Sequence, residues 1–326
     1  MTPQIPILVL LLTTSNLLVF PAFIGLLCRI RFTQHVRGEG PTSHLAKAGT
    51  PTGGGLLLAV DVALVTIVYL FNVRGSHALS RVDVATLGFI VLNLLAGLVD
   101  DVLKEVRHAN TGLLGYQKLL IQCAASVFLL WVAFPQIAPQ LHLQSMVLPI
   151  GWVFYVLAVL YAVGMVNAFN LTDGLDGLLA KTSLPVFALA TVFSFRQETG
   201  LAGWLPAAAL AFCIAFLWFN TNKAAIFMGD TGSLTLGSIF VAWAFVSKND
   251  VSSVLIGGLF LVEAASVMIQ VLVFRATGRR RRVFLMAPIH HHFEKLGWEE
   301  SKIVDRFFVV SLLFTLVGAL TMRWGR

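Results

Sequence analysis

Ala85-Thr-Leu-Gly-Phe-Ile-Val-Leu-Asn-Leu-Leu-Ala-Gly-Leu-Val99 is a long apolar run that stops abruptly on Asp100-Asp101, where the charged stretch Val102 to His108 begins. A run of this kind belongs in a bilayer. Two adjacent carboxylates at its end repel each other, and a low-dielectric boundary makes ionising both costly. A chain that keeps such a pair has a use for it, in holding a cation or moving a proton. Lys104 follows one helical turn later, at i+4 from Asp100 and i+3 from Asp101, so it shares their helix face.

The rest of the chain repeats the pattern. Of 326 residues, 57% are hydrophobic and 12% charged, with a mean hydropathy of +0.84. Soluble domains carry about 25% charged residues, so the composition specifies a polytopic membrane protein, all-α, forming a single domain over residues 1–326. Residues 1–28 lack a basic leader and run directly into a spanning segment, which marks them as the first helix and not a cleaved signal. Cys28, Cys123 and Cys213 lie in apolar surroundings without CxxC spacing and are read as packing residues.

Ten spans are expected, near 5–28, 53–73, 83–100, 116–134, 149–167, 182–196, 201–219, 232–248, 253–275 and 304–322. Ten crossings put both termini on one side. The 23 Lys and Arg residues then divide 17 to 6 in favour of the loops at about 29–52, 101–115, 168–181, 220–231 and 276–303. The positive-inside rule makes those five loops cytoplasmic and both termini external. The net charge of +7 thus follows the membrane and does not indicate nucleic acid.

All the chemically suggestive segments fall in those five loops. Lys47-Ala-Gly-Thr-Pro-Thr52-Gly-Gly-Gly55 could cradle an anion, although glycines entering a membrane helix more often serve close packing. Lys118 stands at the base of the fourth span, either as an interface anchor or as a phosphate ligand. Asn167-Ala-Phe-Asn170-Leu-Thr-Asp173-Gly-Leu-Asp176-Gly177 carries two Asp-Gly units, with both Asp on one face if the segment is helical. Asn220 precedes Phe227-Met-Gly-Asp230-Thr-Gly-Ser233, which opens a span and could aim helix N-terminal donors at an anion. Phe227 is either core or a base-stacking surface. His290-His291-His292 follow the basic tetrad Arg279 to Arg282. Consecutive helical residues diverge by about 100°, so the three imidazoles cannot readily share one zinc ion; anion binding or proton handling fits them better. The tetrad also reads simply as a topogenic, lipid-facing charge cluster.

Taken together, TPTxGG, DDxxK, NAxNLTDGLDGL, FMGDxGSL and MAPIHHHFE resemble the motifs of the polyprenyl-phosphate N-acetylhexosamine-1-phosphate transferases, from Lys47 to the final span. The last motif, Met286 to Glu294, points to the muramoyl-pentapeptide branch. The resemblance implies a Mg²⁺-dependent, often homodimeric ten-helix enzyme of the bacterial cytoplasmic (inner) membrane. Its substrates would be UDP-N-acetylmuramoyl-pentapeptide (UDP-MurNAc-pentapeptide) and undecaprenyl phosphate, and its products lipid I and UMP. By motif, Asp230 would bind the metal with help from Asn170, and Asp100 and Asp101 would assist it or deprotonate the lipid phosphate. Lys104 and Lys118 would bind phosphates. Asn170, Asp173 and Asp176 would line the nucleotide site, with Lys47, Thr52 and Phe227 nearby, Asn220 supporting the metal, and His290, His291 and His292 contacting the donor.

Gly53 and Phe169 depart from the residues common in that family, and Asp61 within a span is unexpected. Two other functions stay open: the same transfer from a different UDP-sugar, and secondary transport, for which Asp61 and Glu263 inside spans are the relevant residues.

Overall fold

A computed structural model describes residues 4–33, 49–71, 79–107, 111–133, 139–144, 146–194, 197 and 199–324. Twelve helices occur among them: α1 (Gln4–Arg29), α2 (Gly55–Tyr69), α3 (Arg81–Val106), α4 (Gly115–Val132), α5 (Val153–Thr172), α6 (Leu178–Ser194), α7 (Leu201–Asn220), α8 (Gly229–Val246), α9 (Asp250–Ile256), α10 (Gly258–Ala276), α11 (Ile289–Lys295) and α12 (Glu300–Thr321). Helices α1, α3, α4, α5, α7, α10 and α12 are long and apolar enough to cross a membrane, and α2 and α6 are shorter apolar helices. The protein is a polytopic helical membrane protein. Large apolar side chains such as Leu10, Leu18, Trp131, Trp218 and Leu320 stand on its outside, as a lipid-facing surface requires.

Three details differ from the expectation, the first being that the eighth expected span, α8, is not among the helices long and apolar enough to cross a membrane. A two-stranded antiparallel hairpin, β1 (Gln140–Leu143) and β2 (Met146–Pro149), lies between the fourth and fifth expected spans, where no strand was expected. It is anchored by Asp250, whose carboxylate accepts the His142 N–H at 2.8 Å and lies 3.0 Å from its Nδ1. The ninth expected span is broken at Gly257 into α9 and α10. A Cβ at Gly257 would lie 2.7 Å from the Met165 methyl, and one at Gly258 would lie 2.3 Å from the Phe314 ring, so close packing requires glycine at both positions.

Helix α8 is the axis of the bundle. Every residue from Thr231 to Phe245 is buried, and α8 packs on α2, α3, α5 and α7. Aromatic rings fill the surrounding space: Phe169 stacks on Phe260 with centroids 3.9 Å apart, and Phe212 on Phe216 at 5.3 Å. The departure at Phe169 is therefore a core contact. Asp61 is satisfied by Asn16 of α1, whose Nδ2 donates to its carboxylate at 2.6 Å. At the α3 start, Ser80 and Asp83 form a capping box, and the second oxygen of Asp83 accepts the Leu201 N–H that opens α7.

Candidate active site

The ends of α3, α4, α5 and α8 meet at one face of the bundle. Asp100 and Lys104 of α3, Lys118 of α4 and Asp230 in the first turn of α8 form a closed box of alternating charge. Lys104 Nζ lies 2.6 Å from Asp100 Oδ2 and 3.3 Å from Asp230 Oδ2. Lys118 Nζ lies 2.9 Å from Asp100 Oδ1 and 2.5 Å from Asp230 Oδ2. Asn170, at the end of α5, donates from Nδ2 to Asp230 Oδ1 at 3.1 Å and to Ser233 Oγ at 2.8 Å. The loop before α4 folds back on Asp100, whose Oδ1 accepts the Leu113 N–H at 2.7 Å. Lys118 is thus no idle interface anchor: its ammonium is aimed into the box.

Asp101 has a different position. Its Oδ1 accepts the Asp230 N–H at 3.0 Å, and its Oδ2 accepts the Thr231 N–H at 2.9 Å and the Thr231 hydroxyl at 2.7 Å. The free N–H groups that open α8, expected to face a ligand anion, face this carboxylate instead. Asp101 therefore caps α8 from another helix and fixes the backbone that carries Asp230.

Glycines make the convergence possible. A Cβ at Gly97 would lie 2.5 Å from the Asp230 carbonyl oxygen, and one at Gly55 would lie 2.1 Å from the Gly232 nitrogen. The N–H groups of Gly54 and Gly55 donate to the carbonyls of Phe227 and Met228, both at 2.9 Å, and the Phe227 N–H donates to Pro51 at 2.8 Å. The glycine cluster of the first loop accordingly serves close packing of α2 on α8. Thr52 lies beside this junction, its hydroxyl 3.3 Å from where a Cβ at Gly229 would sit. Lys47 falls outside the described residues.

Asp173 to Gly177 form a turn between α5 and α6, not one face of a helix. Asp176 Oδ2 accepts the Ala224 N–H at 3.0 Å, and its own N–H donates to Glu300 at 2.6 Å. Asn220 accepts the Gly177 N–H at 2.9 Å and donates to the Ile226 carbonyl at 2.7 Å. These two side chains tie the 221–228 loop to the turn, and half-buried Phe227 lies at the end of that loop. Burial first, and then the carboxylates of Asp230 and Asp101, push the Asp173 carboxyl up to about 8.

The three histidines diverge, as helical geometry requires. His290 Nδ1 lies 3.1 Å from Glu263 Oε2, His291 Nδ1 lies 2.8 Å from Glu294, and His292 Nδ1 accepts the Leu285 N–H at 3.2 Å. Among the described residues, Asp61 and Glu263 thus pair with Asn16 and His290, and they do not form a relay along a common path.

Residues 83–248, from the start of α3 past the end of α8, match the model of glycosyl transferase family 4. The chain belongs to that family. The matched stretch holds Asp100, Asp101, Lys104, Lys118, Asn170 and Asp230, that is, the whole charged box. Full-length relatives extend the likeness to the histidine segment. The chain is 40% identical over 316 residues to a phospho-N-acetylmuramoyl-pentapeptide-transferase of Desulforamulus reducens, covering 94% of this chain and 92% of that protein. It is 39% identical over 308 residues to one from Geobacillus kaustophilus, covering 93% of each, and 37% identical over 313 residues to one from Bacillus pumilus, covering 95% of each.

Within this family 4 chain, the donor set fits a hard divalent cation. Asp100, Asp101 and Asp230 each bring a carboxylate oxygen within 4.8 Å of the others, and carboxylate oxygen is what Mg²⁺ prefers. Two residues of the neighbourhood escaped sequence reasoning. Glu300 holds the Asp176 backbone from the start of α12, and Gln122 accepts from Asn167 Nδ2 at 2.6 Å, one turn below Lys118. Gln122 carried a faint signal, as a polar residue at i+4 from Lys118 within an apolar span. Glu300 carried none.

Proposed function

We propose that the chain transfers phospho-N-acetylmuramoyl-pentapeptide from UDP-MurNAc-pentapeptide to undecaprenyl phosphate, releasing UMP and forming lipid I. The observation that carries this reading is the Asp100–Lys104–Asp230–Lys118 box at the end of a membrane bundle. Relatives bearing that enzyme's name match over nearly the full length. A lipid phosphate attacking a nucleotide pyrophosphate gathers several negative charges in one place, so catalysis is mainly charge neutralisation and in-line positioning.

Asp230 would hold Mg²⁺, with Asn170 orienting it and Asp101 fixing the backbone that carries it; bound there, the ion would neutralise pyrophosphate charge. Lys104 and Lys118 bind the phosphates. An arriving phosphate competes with Asp100 and Asp230 for both ammonium groups, and Asp100, released from its ion pairs, takes the proton of the acceptor phosphate for direct attack. Asp173, Asp176, Phe227 and the histidine segment lie on the donor side. The basic loops face the cytoplasm of the bacterial inner membrane, where the nucleotide donor is available, with both termini outside.

The donor-exchange experiment decides the function. Membranes given undecaprenyl phosphate and Mg²⁺ should release UMP with UDP-MurNAc-pentapeptide and not with UDP-N-acetylglucosamine. The opposite preference would move the chain to a sister activity, and no UMP from either donor would leave transport standing. The role of Asp100 has its own test. A phosphate monoester loses its second proton near pH ~6, so alkaline pH supplies what the base supplies. Asp100→Asn should therefore lose about 10-fold in rate at pH ~5, where most of the acceptor keeps that proton, and lose little above pH ~7. A loss that is the same at every pH would remove Asp100 from proton transfer.

A further inference from the structure

Among the described residues, Glu263 is the one buried carboxylate near the site to which the transfer reaction gives no task. The bend at Gly257 sets its level: Phe260 stacks on Phe169, and three residues later Glu263 reaches the short helix α11. Glu263 and His290 are both 0% exposed, and Glu263 Oε2 lies 3.1 Å from His290 Nδ1. Burying a carboxylate and an imidazole is expensive, and an apolar pair of similar volume would hold two helices together at lower cost. A carboxylate only accepts, so the bond places the proton on Nδ1 and leaves Nε2 as the free end of the ring. Nε2 is itself buried and has no hydrogen-bond partner. It is pressed against the Asp173–Gly177 turn: a Cβ at Gly174 would lie 2.3 Å from Nε2 and 2.9 Å from Cε1. The ring is thus a wedge beneath the turn that presents Asp173 and Asp176, and Glu263 sets the angle and the tautomer of the wedge.

We propose that Glu263 is a positioning residue of the transfer site, acting through His290 on the Asp173–Gly177 turn and thereby on the UDP-linked donor. This rests on the proposed function, because the turn is assigned to the donor side.

The test is the kinetics of Glu263→Gln with each substrate varied in turn. The KM for the UDP-linked donor should rise about tenfold or more, the scale seen when a carboxylate that orients a functional histidine is removed. The KM for undecaprenyl phosphate and the melting temperature should not move. Glu263→Asp, which keeps the carboxylate, should recover part of the loss. The double variant Glu263→Gln/His290→Asn should match His290→Asn alone, since the carboxylate acts only through the ring. An unchanged donor KM, equal changes in both KM values, or multiplied losses in the double variant would overturn the proposal. A readout free of turnover is the ¹⁵N spectrum of histidine-labelled protein, with His290 assigned by the signal lost in His290→Asn. A protonated Nδ1 supports the proposal, and an Nε2–H tautomer defeats it, including where Glu263→Gln fails to accumulate. A wild-type chain that releases no UMP from any UDP donor defeats the proposed function, and the ¹⁵N result then decides this one.

Discussion

Asp230→Asn should cut turnover by 10³-fold or more, about 4 kcal/mol in the barrier, while leaving the amount of folded protein unchanged. Asp230 is the junction of the site. Among the described residues it alone touches all three of Lys104, Lys118 and Asn170, and its peptide nitrogen is held by Asp101. The substitution is isosteric and removes one negative charge from a place where a divalent cation and two ammonium groups need it. It leaves the Asp101 cap and the glycine contacts of α8 untouched, so folding is not at stake. UMP release by the purified variant, together with its melting temperature, checks both halves. More than a tenth of wild-type activity would place the metal and the lysines elsewhere.

Gly97→Ala should be nearly as damaging, although it adds one carbon and no charge. The new Cβ would sit 2.5 Å from the Asp230 carbonyl oxygen and 2.6 Å from the Thr231 nitrogen. Both are backbone atoms, so no flexible side chain can swing aside, and α3 and α8 must separate. Overpacking of this kind costs about 1–3 kcal/mol in stability. The larger effect is on the rate, because Asp100, Asp101 and Lys104 ride on α3 and Asp230 on α8. A shift of about 1 Å between groups that must act together costs roughly 10²-fold. We expect that loss of activity along with a lowered melting temperature. A variant with wild-type rate would show that the two helices tolerate separation and that the box is not so tightly set.

Hydropathy and the distribution of basic residues made the membrane bundle legible, because the bilayer imposes its length on every apolar segment. The candidate site was legible in part: Asp100, Lys104, Asn170 and Asp230 stood out by spacing and loop position, Lys118 joined them only through the family resemblance, and the five are adjacent in space. Their roles were less so. Asp101 looked like a twin of Asp100, but successive helical positions differ by about 100° and send its carboxylate to the start of α8. Nothing local announces which helix will meet that face. Asn220 and Asp176 likewise turned out to tie one loop to a turn, because their partners are backbone groups that any sequence would offer. The β1–β2 hairpin was invisible because it consists of a few alternating residues beside much stronger apolar runs.

The complete enclosure of α8 bears on how the protein is made. Its opening turns, Gly229-Asp-Thr-Gly-Ser233, are polar, and it is absent from the helices apolar enough to cross a membrane unaided. Such a segment leaves the insertion machinery for lipid only at a cost, and it gains a favourable environment once partners surround it. Helices α2, α3, α5 and α7 all precede it in the chain, so its protein sheath has already been synthesised when it emerges. The order of the segments along the gene thus serves as an assembly schedule, in which the helix that bears Asp230 is threaded into a berth already laid down for it.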